Sequence, residues 1–226
     1  MSTLYIVGTP IGNLGDITYR AVEILKEVDF IICEDTRISR RLLAHYQIDR
    51  PLVSYHQHSR LVKIDQIVDR LKQGESAALI TDAGTPGISD PGNYFISQIR
   101  GNLPEVEVIV IPGPSALTAS ASICGINMDR FTFLGFLPHK KGRLTMLKQM
   151  ANSEIPVMIY ESPYRLMKTV AALKELISPD QKLIVAKELT KINELCITGN
   201  AETVEKYFID NPDKVKGEFV IIIGQK

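Results

Sequence analysis

One unit recurs through the first half of the chain. A short apolar run, without polar alternation, ends in a turn rich in Gly, Pro or acid, and an amphipathic segment follows. "LYIV" runs into Gly8-Thr9-Pro10, "DFIIC" into Glu34-Asp35, "SAALIT" into Asp82-Ala83-Gly84-Thr85-Pro86, and "EVEVIVI" into Pro112-Gly113-Pro114-Ser115. A strand that is apolar on both sides must be covered on both sides, which is the situation of a parallel sheet between helix layers. Strands alternating with helices put the chain in the α/β class. In "DITYRAVEILKEV", Ile17, Ala21, Ile24, Leu25 and Val28 share a face, and Asp16 is the expected N-cap.

The second half has a different rhythm. "RFTFLGFL", "IPVMIYES", "KLIVAKEL", "ELCITGN" and "EFVIIIG" read as strands, and some follow one another without a helix between them. A mixed sheet is therefore expected. Ser162 before Pro163 marks a helix start, with a capping side chain and proline at the first helical position. The pattern predicts two α/β lobes of similar size, residues 1–113 with a mainly parallel sheet and residues 114–226 with a mixed one.

The 226 residues carry 26 basic and 26 acidic side chains, so net charge gives no reason to expect a nucleic-acid partner, and any such binding must use local patches. Cys33, Cys124 and Cys196 are odd in number and far apart. They predict neither a disulfide framework nor a zinc site, and a reducing, cytoplasmic setting is expected. The apolar run near the N-terminus has no basic residue before it and is too short for a signal peptide. No run is long enough to span a bilayer, so no membrane partner is expected. His56 and His58 would share one side of a strand, as metal ligands can, but no third ligand accompanies them and no metal is expected.

In an open parallel sheet the ligand crevice lies beyond the carboxyl ends of the strands. All four unusual turns of the first half fall there: residues 8–16, 34–37, 82–92 and 112–116. "DAGTPGISDPG" holds far more Gly, Pro and Asp than a strand ending requires, which marks it as a ligand loop. "GTPIGNLG" is not the GxGxxG of a dinucleotide turn, and no GxxxxGK[ST] phosphate loop is present. Clustered glycines without a phosphate cradle suit a flat base and a zwitterionic tail better than a triphosphate.

Taken in order, "VGTPIGNLGDIT", "CEDTR", "TDAGTPGISDPG", "IPGPSA", "GFLP", "YESPYR" and "AKELTK" closely resemble the ribosomal RNA small-subunit methyltransferase I family of the tetrapyrrole methylase superfamily. The resemblance implies two α/β lobes with S-adenosylmethionine in the cleft between them, usually in a homodimer. It implies methyl transfer to the 2′-hydroxyl of a cytidine in small-subunit ribosomal RNA; a small tetrapyrrole or a protein side chain is the alternative acceptor, and DNA is not a substrate. Cofactor contacts would fall on Ile11, Ala83, Gly84, Thr85, Ile88, Ser115, Ala116, Glu161 and Leu189. Two positions depart from the relatives. Thr85 stands where tetrapyrrole methylases commonly have aspartate, and the usual "FLPRK" reads "FLPHKK", with His139.

A ribose hydroxyl is a poor nucleophile, so a positioned base is expected. The crevice offers Glu34, Asp35, Asp82, Lys187 and Glu188, of which Glu34 and Asp35 are the favoured catalytic pair. The bland alternatives are a Glu34–Arg37 ion pair and an Asp35 helix cap. In "TRISRRLLAHY", Ile38, Leu42, Leu43 and Tyr46 form the expected buried stripe, leaving Arg37, Arg40 and Arg41 on the open face. Cations near a helix N-terminus oppose its dipole, by about 0.3–1 kcal/mol each, and a polyanion would offset that. Lys140, Lys141 and Arg143 form a second basic cluster, so the two sets are expected to grip RNA phosphates. Tyr160, Tyr164 and Arg165 could stack on or grip a flipped nucleotide, or simply pack.

Overall fold

The computed structural model describes residues 2–55 and 61–226; His56 and His58 lie outside them. The chain divides into two compact units, Met1–Ser115 and Ala116–Lys226.

In the first unit, β1 (Thr3–Val7), β2 (Phe30–Cys33), β3 (Leu52–Ser54), β4 (Ala77–Leu79) and β5 (Glu107–Ile111) form one sheet in the order β3-β2-β4-β1-β5. Every pairing in it is parallel. Helices α1 (Tyr19–Glu27), α2 (Thr36–His45), α3 (Leu61–Lys72) and α4 (Gly92–Asn102) link the strands. One face of the sheet, with Leu4, Ile6, Phe30, Ile32 and Leu79, packs on Ile67, Leu71, Phe95 and Ile99 of α3 and α4. The other, with Val7, Ile31, Cys33, Ala78 and Ile80, packs on Ala21 and Leu25 of α1 and Leu43 of α2. Cover on both faces is why the strands show no alternation.

The strand order also fixes where a crevice opens. From β2 the chain leaves toward β3, the sheet edge on one side; from β4 it crosses to β5, the edge on the other. The loops after two neighbouring strands thus diverge, which is the topological switch point at which open α/β sheets take their ligands.

Two local expectations are corrected. Asp16 does not cap α1: it ends a single 3-10 turn, Leu14–Asp16, and Thr18 is the cap, its Oγ1 accepting the Ala21 N–H at 3.1 Å. Nor is Ile38 buried. The buried face of α2 is Ser39, Leu42 and Leu43, and Ile38 is 42% exposed, because the stripe begins one residue later.

In the second unit, β6 (Thr132–Phe136), β7 (Val157–Glu161), β8 (Leu183–Lys187), β9 (Leu195–Gly199) and β10 (Phe219–Ile223) are ordered β6-β7-β10-β8-β9. Only β6–β7 is parallel, and the sheet is mixed, as expected. Helices α6 (Arg143–Ala151), α7 (Pro163–Lys174) and α8 (Ala201–Asp210) cover the face that carries Ile159, Val185 and Ile221. On the opposite face α5 (Ala116–Ile123) meets Met158 through Ser120. Helix α7 starts at Pro163 as expected, but the Ser162 side chain caps nothing; its N–H donates to Glu161 Oε1 at 2.9 Å.

Candidate active site

The four turns of the first unit meet at one rim. Thr9 and Gly84 form a two-way backbone bridge, N–H to carbonyl at 2.9 and 3.1 Å, joining the loop after β1 to the loop after β4. Thr9 Oγ1 donates to the Thr81 carbonyl at 3.1 Å, and Thr85 Oγ1 to the Pro114 carbonyl at 3.1 Å, which ties in the loop after β5. Gly8 and Gly113 pack backbone on backbone: a side-chain carbon at Gly8 would stand 2.8 Å from Gly113 Cα. Thr9 and Thr81, which lock this rim, carry no signal in the sequence beyond their place inside the motifs.

Of the expected cofactor positions, Ile11, Ala83, Gly84, Thr85, Ile88 and Ser115 therefore lie on mutually bonded loops. Ala83 and Ile88 are exposed there, whereas Ile11 is buried. A side-chain carbon at Gly84 would stand 3.4 Å from Ile11 Cγ2, so the loops after β1 and β4 pack directly on each other here. No lysine or arginine occurs in residues 8–16, 82–92 or 112–116.

Three carboxylates flank the switch point between β2 and β4. Asp82 Oδ1 accepts the Asp35 N–H at 3.1 Å, and Glu34 Oε2 accepts from Thr81 Oγ1 at 3.2 Å. Burial, then the charges of Asp90 and Asp82, push the Glu34 carboxyl above its ordinary range, against hydrogen bonds from Thr81 and the Asp82 backbone. Burial likewise raises Asp82, opposed by its bond from Asp35. Asp35 goes the other way. Arg37 holds it far below the usual carboxylate range through side-chain and backbone hydrogen bonds, with Nη2 to Oδ2 at 2.6 Å and the Arg37 N–H to Oδ1 at 2.8 Å. Asp35 is thus the N-cap of α2, and the partner of Arg37 is Asp35 rather than Glu34. Two adjacent carboxylates thus shift in opposite directions, Glu34 toward its protonated form and Asp35 toward its anion.

Arg40 and Arg41 are exposed on α2, and Lys140 and Lys141 are exposed between β6 and α6. Arg143 is corrected. It is 8% exposed, and its Nη2 donates to Glu161 Oε2 at 2.9 Å, so it does not belong to the surface cluster. The cause is local: α6 begins at Arg143, and its first turn points the side chain inward. Glu161 is 1% exposed and also accepts from Arg165 Nε at 2.7 Å and Thr169 Oγ1 at 2.7 Å. Burial alone would raise its carboxyl; the hydrogen bonds from Thr169, Arg143 and Ser162, with the charge of Arg165, overcome that and hold it low. Arg165 donates through Nη1 to the Leu137 carbonyl at 2.8 Å, a packing role.

Elsewhere in this unit, Ala116 begins α5. Leu189 is buried between Glu188 and Thr190, both with positive φ. Lys187 is buried, its Nζ donating to the Asn193 carbonyl at 3.4 Å, and Glu188 accepts from Lys191 Nζ at 2.9 Å. Among the described residues no His, Cys, Asp and Glu group could hold a metal ion, and no helix is long and apolar enough to cross a membrane.

Solved structures share this fold. The methyltransferase CobJ superposes with a TM-score of 0.71 at 16% identity, over 100% of this chain and 95% of that one. The uroporphyrin III C-methyltransferase of Thermus thermophilus gives 0.68 at 17% identity, over 98% and 97%. The family model described as Tetrapyrrole (Corrin/Porphyrin) Methylases matches residues 3–205. Fold and rim thus define a methyltransferase of the tetrapyrrole methylase class. Within that class the sequence is 44% identical to the Ribosomal RNA small subunit methyltransferase I of Synechocystis sp., over 99% of this chain and 79% of that protein. It is 38% identical to the protein of the same name from Thermotoga maritima, over the full length of both. The chain belongs to the ribosomal RNA small subunit methyltransferase I family.

Proposed function

We propose that this methyltransferase takes its methyl group from S-adenosylmethionine and places it on the 2′-hydroxyl of a cytidine in small-subunit ribosomal RNA. The observation that carries the reading is the shared name of relatives that match almost the whole chain. The rim fits the donor chemically: its loops offer backbone groups and apolar side chains, Ile11 and Ile88 among them, and no cation that would favour a phosphate. Ile11, Ala83, Gly84, Thr85, Ile88 and Ser115 would hold it.

When bound, S-adenosylmethionine supplies a methyl group on a positively charged sulfur. The chain's own task is alignment of the acceptor oxygen in line with that bond, and exclusion of water. Glu34 would accept the proton of the ribose hydroxyl as that oxygen takes up the methyl group. Its raised pKa makes it a stronger base than Asp35, whose carboxylate is engaged with Arg37. Arg40, Arg41, Lys140 and Lys141 would meet phosphates. On this reading the enzyme works in the cytoplasm as a homodimer.

The test is methyl transfer from labelled S-adenosylmethionine to small ribosomal subunits, free ribosomal RNA, a uroporphyrin-type tetrapyrrole and ribosomal protein, followed by nucleoside mass spectrometry. 2′-O-methylcytidine in the RNA is the expected product. Label only in tetrapyrrole or protein would replace the acceptor named here.

A further inference from the structure

The edge strand β6 contains an irregularity that the reaction above does not use. Phe133 pairs with Met158 of β7, and Phe136 pairs with Tyr160, so three steps along β6 match two along β7. The extra residue is taken up at Gly135, whose φ of 61° lies in the left-handed region that glycine tolerates. Without it, side-chain alternation would send Phe133 and Phe136 to opposite faces. With it, both fall on the face of Tyr160, with ring centroids 4.8 and 5.5 Å from the Tyr160 ring. Phe136 remains 56% exposed. The bulge thus seats one part of the Phe136 ring on Tyr160 and leaves the rest open, more exposure than packing alone requires.

The sequence that follows this ring is one-sided in charge. Residues 131–153 contain no Asp or Glu, and Lys140 and Lys141, in the loop that leaves the strand, are exposed. Lys140 follows Phe136 by four residues, a reach of at most about 14 Å. An aromatic face beside a cation-only loop matches the two halves of an unpaired nucleotide, a flat base and its phosphate.

We infer that Phe136, braced by Tyr160 and Phe133, is a stacking platform for an unpaired base of the RNA substrate, with Lys140 and Lys141 on the flanking phosphates. This rests on the RNA reading above and adds that the substrate must present a single-stranded segment to the second unit.

The test uses the full chain and a short single-stranded RNA carrying 2-aminopurine, whose fluorescence is quenched by stacking. Wild-type protein should bind and quench. Phe136→Ala should weaken binding about 5- to 150-fold and abolish the quench. Phe136→Leu, which keeps apolar bulk without a ring face, should behave like the alanine variant, and Phe136→Trp should restore both signals. Lys140→Ala with Lys141→Ala should flatten the salt dependence by a slope of about 0.7 for each phosphate no longer neutralised, while the bound complex still quenches. If wild type binds RNA and methylates subunits but Phe136→Ala is unchanged, the platform is wrong and the RNA reading stands. If wild type neither binds RNA nor methylates subunits, both fall. A shift of Phe136→Ala from dimer to monomer in sedimentation would reassign the face to a second copy of the chain.

Discussion

Gly8 and Gly113 lie so close that neither can carry a side chain: a carbon built on either stands 2.8 Å from backbone atoms of the other. The approach sets the spacing of the loops after β1 and β5, and so the width of the rim. Gly8→Ala should therefore force the two loops apart. Overpacking of this kind costs about 1–3 kcal/mol, and urea denaturation should show a loss in that range. Titration calorimetry should show weaker S-adenosylmethionine binding. Unchanged binding by a destabilised Gly8→Ala protein would remove the rim from the cofactor site.

Glu34→Gln tests the base, and stability and activity should move in opposite directions. A raised carboxyl favours the protonated fold, so its stabilising contribution is complete below the ordinary glutamate range and is lost as pH rises through the raised value. At neutral pH the charged Glu34 is therefore a burden that glutamine removes. The variant should melt above wild type at pH 7, with the gap closing toward pH 4. Turnover should fall about 10²–10⁴-fold, with cofactor affinity nearly intact. Full-rate transfer by the variant would clear Glu34 of a chemical role.

Glu161→Ala should strand Arg143 and Arg165 beside a cavity. Removing one partner of a buried ion pair costs about 3–5 kcal/mol, readable by urea denaturation. Because the Glu161 carboxyl is held low, its contribution is present above the ordinary glutamate range and is lost as pH falls through the lowered value. The wild-type advantage should accordingly shrink on acidification. A constant difference from pH 7 down to pH 3 would contradict that assignment.

Arg40→Ala with Arg41→Ala should reduce the salt slope of RNA binding by about 0.7 for each phosphate they neutralise on a single strand, with S-adenosylmethionine binding unchanged. An identical slope would return both arginines to an ordinary solvated face. Arg143→Ala should instead register in stability.

The layer order and the rim were legible because both follow from short-range pattern. Unalternated strands require two covered faces, and Gly-Pro-Asp turns at their carboxyl ends converge by topology. What stayed hidden depends on partners distant in sequence or on one residue of phase. In the sequence Arg143 looks like part of a charge run with Lys140 and Lys141; its fate is decided by Glu161, eighteen residues on, and by the helix that starts beneath it. Ile38 and Ser39 exchange places because the stripe on α2 shifts by one position. Gly135 reads as an ordinary strand glycine until the β6–β7 register shows the added residue. Glu34 and Asp35, adjacent and chemically alike, could be told apart only once the partner of Arg37 was known.

The diverging exits from β2 and β4 are a property of chain direction, not of any side chain. Sequence can drift around such an opening without closing it, and CobJ retains the same architecture at 16% identity. The surroundings of the mouth can then change in sequence while the strand order that makes the opening stays fixed.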